Sequence, residues 1–150
     1  MSIWQFNYRL AQRLLLWNIV NAVVGLILLL VPGYRPYWRA VGSQALGWAA
    51  INACIAAVGR ALTARRFGQQ SHPYDADVTA REAQSLRRLL WVNTALMDPL
   101  YVLGGFWLAH TRGADNPRWR GMGHGIAVQG MLLLVFDLIH VLAVPAAKSR

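Results

Sequence analysis

A chain of 150 residues that is 56% hydrophobic and only 14% charged is too apolar for an ordinary soluble domain and too short for more than one compact unit. Its net charge of +9 would suit a nucleic-acid binder if the arginines formed a patch, but they fall almost entirely between apolar runs; the expected anion is lipid phosphate, with no nucleic-acid partner. The one cysteine, Cys54, lies inside an apolar run, which excludes an intrachain disulfide and argues against a thiolate metal site.

Residues 1 to 13 carry Trp4, Phe6 and Tyr8 beside Arg9 and Arg13, a mixture found at headgroup boundaries, and are expected to lie along the interface. The apolar run that follows resembles a signal peptide only superficially. It is long and ends in Val31-Pro32-Gly33 without a small-residue cleavage pattern, so it reads as a retained first span, about 14–31. Pro32-Gly33-Tyr34-Arg35 turns the chain, and Pro36 suits the first position of the next helix. The second span, about 38–60, is crowded with Ala45, Gly47, Ala49, Ala50, Ala53, Ala56 and Ala57, residues that let backbones approach closely, and is expected to be a tightly packed inner helix.

The chain is polar from Arg60 to Arg88. Thr79-Ala-Arg-Glu82 forms a capping-box pattern that would start a helix about three turns before the third span, about 89–110. That span carries Asp98 in its middle, followed by Pro99, which has no N–H to bond the carbonyl of Ala95. An acid at such a depth costs roughly 2.5 to 3.5 kcal/mol, so it faces protein or water, is paired, or is neutral. TRGADNP makes another turn, Asn116 can cap, and Pro117 opens the helix of the fourth span, about 124–144, which Pro145 stops.

Ten basic residues (Arg9, Arg13, Arg60, Arg65, Arg66, Arg81, Arg87, Arg88, Lys148 and Arg150) would share one side against five (Arg35, Arg39, Arg112, Arg118 and Arg120) on the other. The positive-inside rule then puts both termini in the cytoplasm of a multi-pass protein of the inner (plasma) membrane. An internal repeat, P-x-W-R-x-x-G at Pro36–Gly42 and again at Pro117–Gly123, suggests two hairpins in the same orientation; the second copy needs a four-residue gap before Gln129 aligns with Gln44 and Asp137 with Asn52.

Counting inward from Arg13, Arg60, Arg88 and Lys148 places Asn21, Asn52, Asp98 and Asp137 about 12 to 16 Å from one edge, one polar residue per helix in a single layer. Asn18, Gln44, Asn93, Gln129 and His140 join it, and Tyr101 shares a helix face with Asp98. Such groups act either as interhelical glue, at about 0.6 to 2 kcal/mol per bond, or as a proton or cation site with both carboxyls as ligands. Haem would need a second deep histidine beside His140; His110 and His124 match no metal-site spacing. No cofactor or metal is expected. Trp38, Arg39, Trp119 and Arg120 would meet lipid headgroups on the outer side.

The stretch from Arg118 through Gln129 to Asp137, together with A-L-G-W-A-A-I-N-A-C-I-A-A-V-G and D-P-L-Y-V-L-G-G-F-W-L, resembles an uncharacterised family of small four-span bacterial membrane proteins. The resemblance implies four spans and a bacterial membrane, and carries no activity. The expectation is a single-domain, all-α, four-helix transmembrane bundle of two repeated hairpins, with the bilayer and a homo-oligomer or larger membrane complex as partners. A structural or accessory subunit is the leading reading and a small proton- or cation-coupled carrier or channel the alternative. No nucleophile–base pair suggests an enzyme.

Overall fold

The structure, a computed structural model, describes residues 1–30 and 36–145; the turn at Pro32–Arg35, the boundary residue Lys148 and Arg150 lie outside the described residues. The described residues form α1 (Ile3–Leu30), α2 (Pro36–Gly68), α3 (Ala76–Val92), a π-helical turn (Asn93–Met97), α4 (Asp98–His110) and α5 (Pro117–Ala143). Counting α3, the π turn and α4 as one rod, there are four helices, each long and apolar enough to cross a membrane. We call the end holding Leu30, Pro36, His110 and Pro117 the upper end, and the other the lower.

Local chemistry explains several helix limits. Pro36 and Pro117 open their helices at the position where a missing N–H costs nothing. The Asn116 side chain accepts from the N–H groups of Arg118 and Trp119 at 3.0 and 3.3 Å, the expected cap. Val144, directly before Pro145, turns to extended backbone (ψ 124°) and α5 ends. Pro99 is accommodated by the π turn, in which the Asp98 N–H donates to the Asn93 carbonyl five residues back.

The capping box does not form. Asp75 precedes α3 without a side-chain cap bond, and the Thr79 hydroxyl donates backward to the carbonyls of Asp75 and Ala76. Glu82 is instead engaged by Asn7 at 3.2 Å and Arg66 at 3.0 Å.

α1 packs along α2 and α4 along α5, and the two hairpins join chiefly through α2 and α5. The upper half is held by glycine contacts. A Cβ on Gly42 would stand 2.8 Å from the Gly25 carbonyl oxygen, and one on Gly123 would stand 2.5 Å from that of Gly105. The alternation Gly121-x-Gly123-x-Gly125-x-Ala127 has a geometric reason: two residues turn a helix by about 200°, so alternate positions face opposite neighbours. Gly121 and Gly125 meet α2 at Tyr37 and Gln44, while Gly123 and Ala127 meet α4 at Gly105. The innermost helix is therefore α5; α2, expected to be inner, leaves Ala50, Cys54, Ala57 and Ala61 exposed.

The lower end is built differently. Ile3, Trp4, Phe6, Ala83, Leu90, Val141 and Val144 form a buried cluster, flanked by Leu10, Phe67, Val78 and Leu86. Residues 3–13 thus continue α1 as helix rather than lying along an interface, because Trp4 and Phe6 cover the apolar face of α3, and the Trp4 indole N–H bonds the Pro73 carbonyl at 2.7 Å.

Candidate functional site

Trp48 on α2 and Tyr101 on α4 meet edge to face, ring centres 4.8 Å apart. One turn below Trp48 on the same face of α2 is Asn52, and one turn below Tyr101 on α4 is Asp98. The ring pair therefore roofs a polar site. The π turn brings Thr94 into the same buried region, against α5. From α5 comes the buried Asp137, in the neighbourhood of Asn93 and Asp98.

Satisfaction of these groups is uneven. Asn18, Asn52, Thr94, Asp98 and Asp137 are all at least nine-tenths buried, with Asp98 only 2% exposed. Yet Nδ2 and Oδ1 of Asn18, Nδ2 of Asn52, Oγ1 of Thr94 and Oδ2 of Asp98 have no hydrogen-bond partner. A buried polar atom left unbonded costs about 1–3 kcal/mol, so five such atoms, spread over α1, α2, the π turn and α4, mark groups that call for a polar partner. Beneath it, a crevice of about 170 Å³ between α1, α2 and α3 reaches from Glu82 and Arg66 up to Ala56 and Leu89. Those two residues are one turn below Asn52 and Asn93, so the crevice leads toward the site from the lower end.

The amides expected beside the carboxyls divide. Asn21 and Gln129 bond each other reciprocally, Asn21 donating at 2.9 Å and Gln129 at 3.2 Å, and tie α1 to α5. This pair stands eight residues, about 12 Å along α5, above Asp137, so the four helices do not place Asn21, Asn52, Asp98 and Asp137 at one level. The count from boundary charges misses this because Arg13 does not end its helix at a boundary: α1 continues below it to Ile3, and its guanidinium donates to His140 Nε2 at 3.3 Å, beside the lower cluster. His140 Nδ1 donates to the Phe136 carbonyl at 2.7 Å; since arginine can only donate, Nε2 accepts and the ring is neutral. His140 belongs to the lower core rather than the carboxyl site. Gln44 is half-buried, its stem packed on the Gly125 backbone.

At the upper end Trp38 and Arg39 are exposed, Trp119 carries the Arg112 guanidinium over its ring at 5.7 Å, and Arg120 donates to the carbonyls of Gly113 and Ala114, clamping the loop before α5. Thr94 was absent from the sequence reading, although its i, i+4 spacing to Asp98 would have found it. The Asn7–Glu82 bond joins residues 75 positions apart, and only tertiary structure shows it.

Residues 13–138 match the model of a family of unknown function (DUF6992), and the chain belongs to that family. No curated protein and no solved structure matches the chain.

Proposed function

We propose that this member of a family without an assigned activity is a multi-pass protein of a bacterial inner membrane, and that its work is done by a small cation or proton held between Asp98 and Asp137. The unbonded polar atoms carry this reading. Interhelical glue is bonded by definition, whereas Asn18, Asn52, Thr94 and Asp98 each keep an unbonded polar atom in a buried setting. A bound cation with its waters would satisfy them, and the crevice from Glu82 supplies a route.

Membrane insertion is supported by the girdle of exposed apolar side chains around the middle of the bundle: Leu16, Val20 and Ile27 on α1, Ile51 and Ile55 on α2, Leu103 and Trp107 on α4, Ile139 on α5. The lower end, richer in arginine, would face the cytoplasm. Reporter fusions at Gln70 and Lys148 should read cytoplasmic and one at Ala114 external; inverted labelling would overturn the orientation. The matching Gly25–Gly42 and Gly105–Gly123 contacts, each ending one P-x-W-R-x-x-G segment, support a duplicated hairpin.

The cation test is thermal melting in detergent at pH 8, where free carboxylates are ionised, in Na⁺, K⁺ or choline salt at equal ionic strength. A cation at 100 times its Kd would stabilise the folded state by about 2.7 kcal/mol, a rise of several degrees. Wild type should show that rise with one alkali cation, and Asp98→Asn and Asp137→Asn should not. Three proteins with the same response would remove the cation reading.

A second reading keeps one observation of its own. The reciprocal Asn21–Gln129 pair is dry interhelical glue, as a structural subunit of a larger membrane complex would use.

A further inference from the structure

A cavity of about 730 Å³ opens at the lower end between the first turns of α1 and the last turns of α2, beside the buried cluster, with which it shares Trp4 and Phe67. This is the size of a small-molecule site. One wall is aromatic and locked: Trp4 meets Phe67 edge to face at 5.4 Å, Phe67 meets Tyr74 at 5.8 Å, and the Trp4 N–H is held by the Pro73 carbonyl. About two turns above Phe67, on the same face of α2, the lining is cationic. Arg60 lies over the Tyr8 ring at 4.4 Å from its centre and donates to the Tyr8 hydroxyl at 2.8 Å, which fixes the guanidinium, and Arg9 lines the same space.

Among the described residues no carboxylate lines this cavity. Among the described residues the one ion pair, Arg66–Glu82, lies in the crevice, so neither Arg9 nor Arg60 is neutralised. Two guanidiniums, one pre-oriented by stacking, are a fork suited to phosphate oxygens and indifferent to neutral ligands. Depth points to the source of the phosphate. Arg60 is five residues, about 8 Å, below Ile55 of the exposed apolar girdle along α2, where the headgroups around a membrane-inserted bundle would begin.

We propose that this cavity binds a phosphate-bearing anion between Arg9 and Arg60, and that the anion is the headgroup of an anionic phospholipid whose glycerol lies against the Trp4–Phe67–Tyr74 wall. The inference uses the membrane placement proposed above but not the cation site, so Asp98→Asn should leave it untouched. A soluble phosphate ester shares the chemistry and is distinguished by the experiment.

Full-length protein in neutral detergent is titrated with short-chain phosphatidylglycerol, short-chain phosphatidylcholine and glycerol phosphate, with melting temperature and binding isotherm as readouts. Phosphatidylglycerol should bind and stabilise while phosphatidylcholine does not. Arg9→Gln should weaken binding about fivefold, as expected for one arginine near a headgroup, and Arg60→Gln by at least as much. Because Arg60 also holds Tyr8, Gln12→Glu serves as the variant that leaves every described contact intact; it sets a carboxylate on the cavity lining and should weaken binding as well. Arg65→Gln, exposed and outside the cavity, should leave affinity unchanged and controls for bulk charge. Glycerol phosphate binding as tightly as the lipid, with the same loss in Arg9→Gln, would support the phosphate site and make its ligand soluble. Equal affinity for phosphatidylcholine, or an equal loss in Arg65→Gln and Arg9→Gln, would overturn the proposal.

Discussion

The upper half and the lower end of this bundle bring helices together by opposite means. Above the polar site the contacts are backbone against backbone: Gly25 on Gly42, Gly105 on Gly123, Gly121 on Tyr37, with large apolar side chains turned outward. Below it the contacts are side chain against side chain, with Trp4, Phe6, Leu90 and Val141 buried and cross-linked by Asn7, Glu82, Arg66 and Arg13. Small-residue contact gains dispersion and needs no water to drive it, which suits a lipid surround, whereas an aromatic cluster gains most where the alternative is water. The polar site sits at the junction of the two regimes. There the two kinds of contact meet: a Cβ on Gly130 would stand 3.1 Å from the Asp98 carbonyl oxygen, and Trp48 packs edge to face on Tyr101.

The largest expected effect tests the upper regime. A Cβ on Gly105 or Gly123 would stand 2.5 to 2.6 Å from backbone atoms of the facing helix, which cannot rotate away, whereas Gly104 has nothing within 4 Å. Gly123→Leu and Gly105→Leu should therefore yield no monodisperse folded protein, beyond the ~1–3 kcal/mol of ordinary overpacking. Gly104→Leu, one residue away, should behave as wild type in size-exclusion profile and melting. If Gly104→Leu and Gly105→Leu behave alike, backbone contact is not what holds the upper half together.

Next in size is the lower cluster. Phe6 is 3% exposed, and Phe6→Ala should cost roughly 3 kcal/mol, the usual price of emptying a buried aromatic site. The loss should be regional. Amide hydrogen exchange should quicken in α3 and the first turns of α1 while the Gly105–Gly123 segment keeps its protection. Uniform loss of protection would mean that both regions unfold as one unit and that the contrast has no energetic meaning.

How far the sequence discloses this arrangement follows the same division. Asn116, Pro36, Pro117 and Pro145 set helix limits through their own chemistry, and each acts as read. The motif glycines Gly42 and Gly123 stand out in the sequence, but their partners Gly25 and Gly105 do not, since a lone glycine in an apolar helix shows nothing of what approaches it. Trp4 and Phe6 are ambiguous for a sharper reason: an aromatic beside an arginine serves equally at a headgroup or in a core, and only the apolar face of α3 decides. The carboxyls and amides of the site were visible as polar residues in apolar runs. Their sorting into a bonded pair and an unbonded group was not, because the level of α1 against α5 shows only in the Arg13–His140 and Asn21–Gln129 bonds and not in matched boundary charges.

The smallest effect expected concerns the joint between the hairpins. Asn21 and Gln129 exchange two hydrogen bonds in a buried setting, and a pair of this kind is worth roughly 0.6 to 1.7 kcal/mol in membrane-protein cycles. Asn21→Leu alone strands both polar atoms of Gln129, and Gln129→Leu strands those of Asn21, so each single change should cost more than the pair itself contributes. The double change removes the stranded groups together and should recover part of the loss, giving a coupling of about 1 kcal/mol between residues that are 108 positions apart. Melting of the four proteins of this cycle in one detergent measures it. The same cycle run with Asn52 and Asp98, which make no described bond to each other, should show smaller coupling without added cation. Strong coupling there under choline salt would mean a direct bond between them and a dry site, and the lower and upper halves would then be joined by glue throughout.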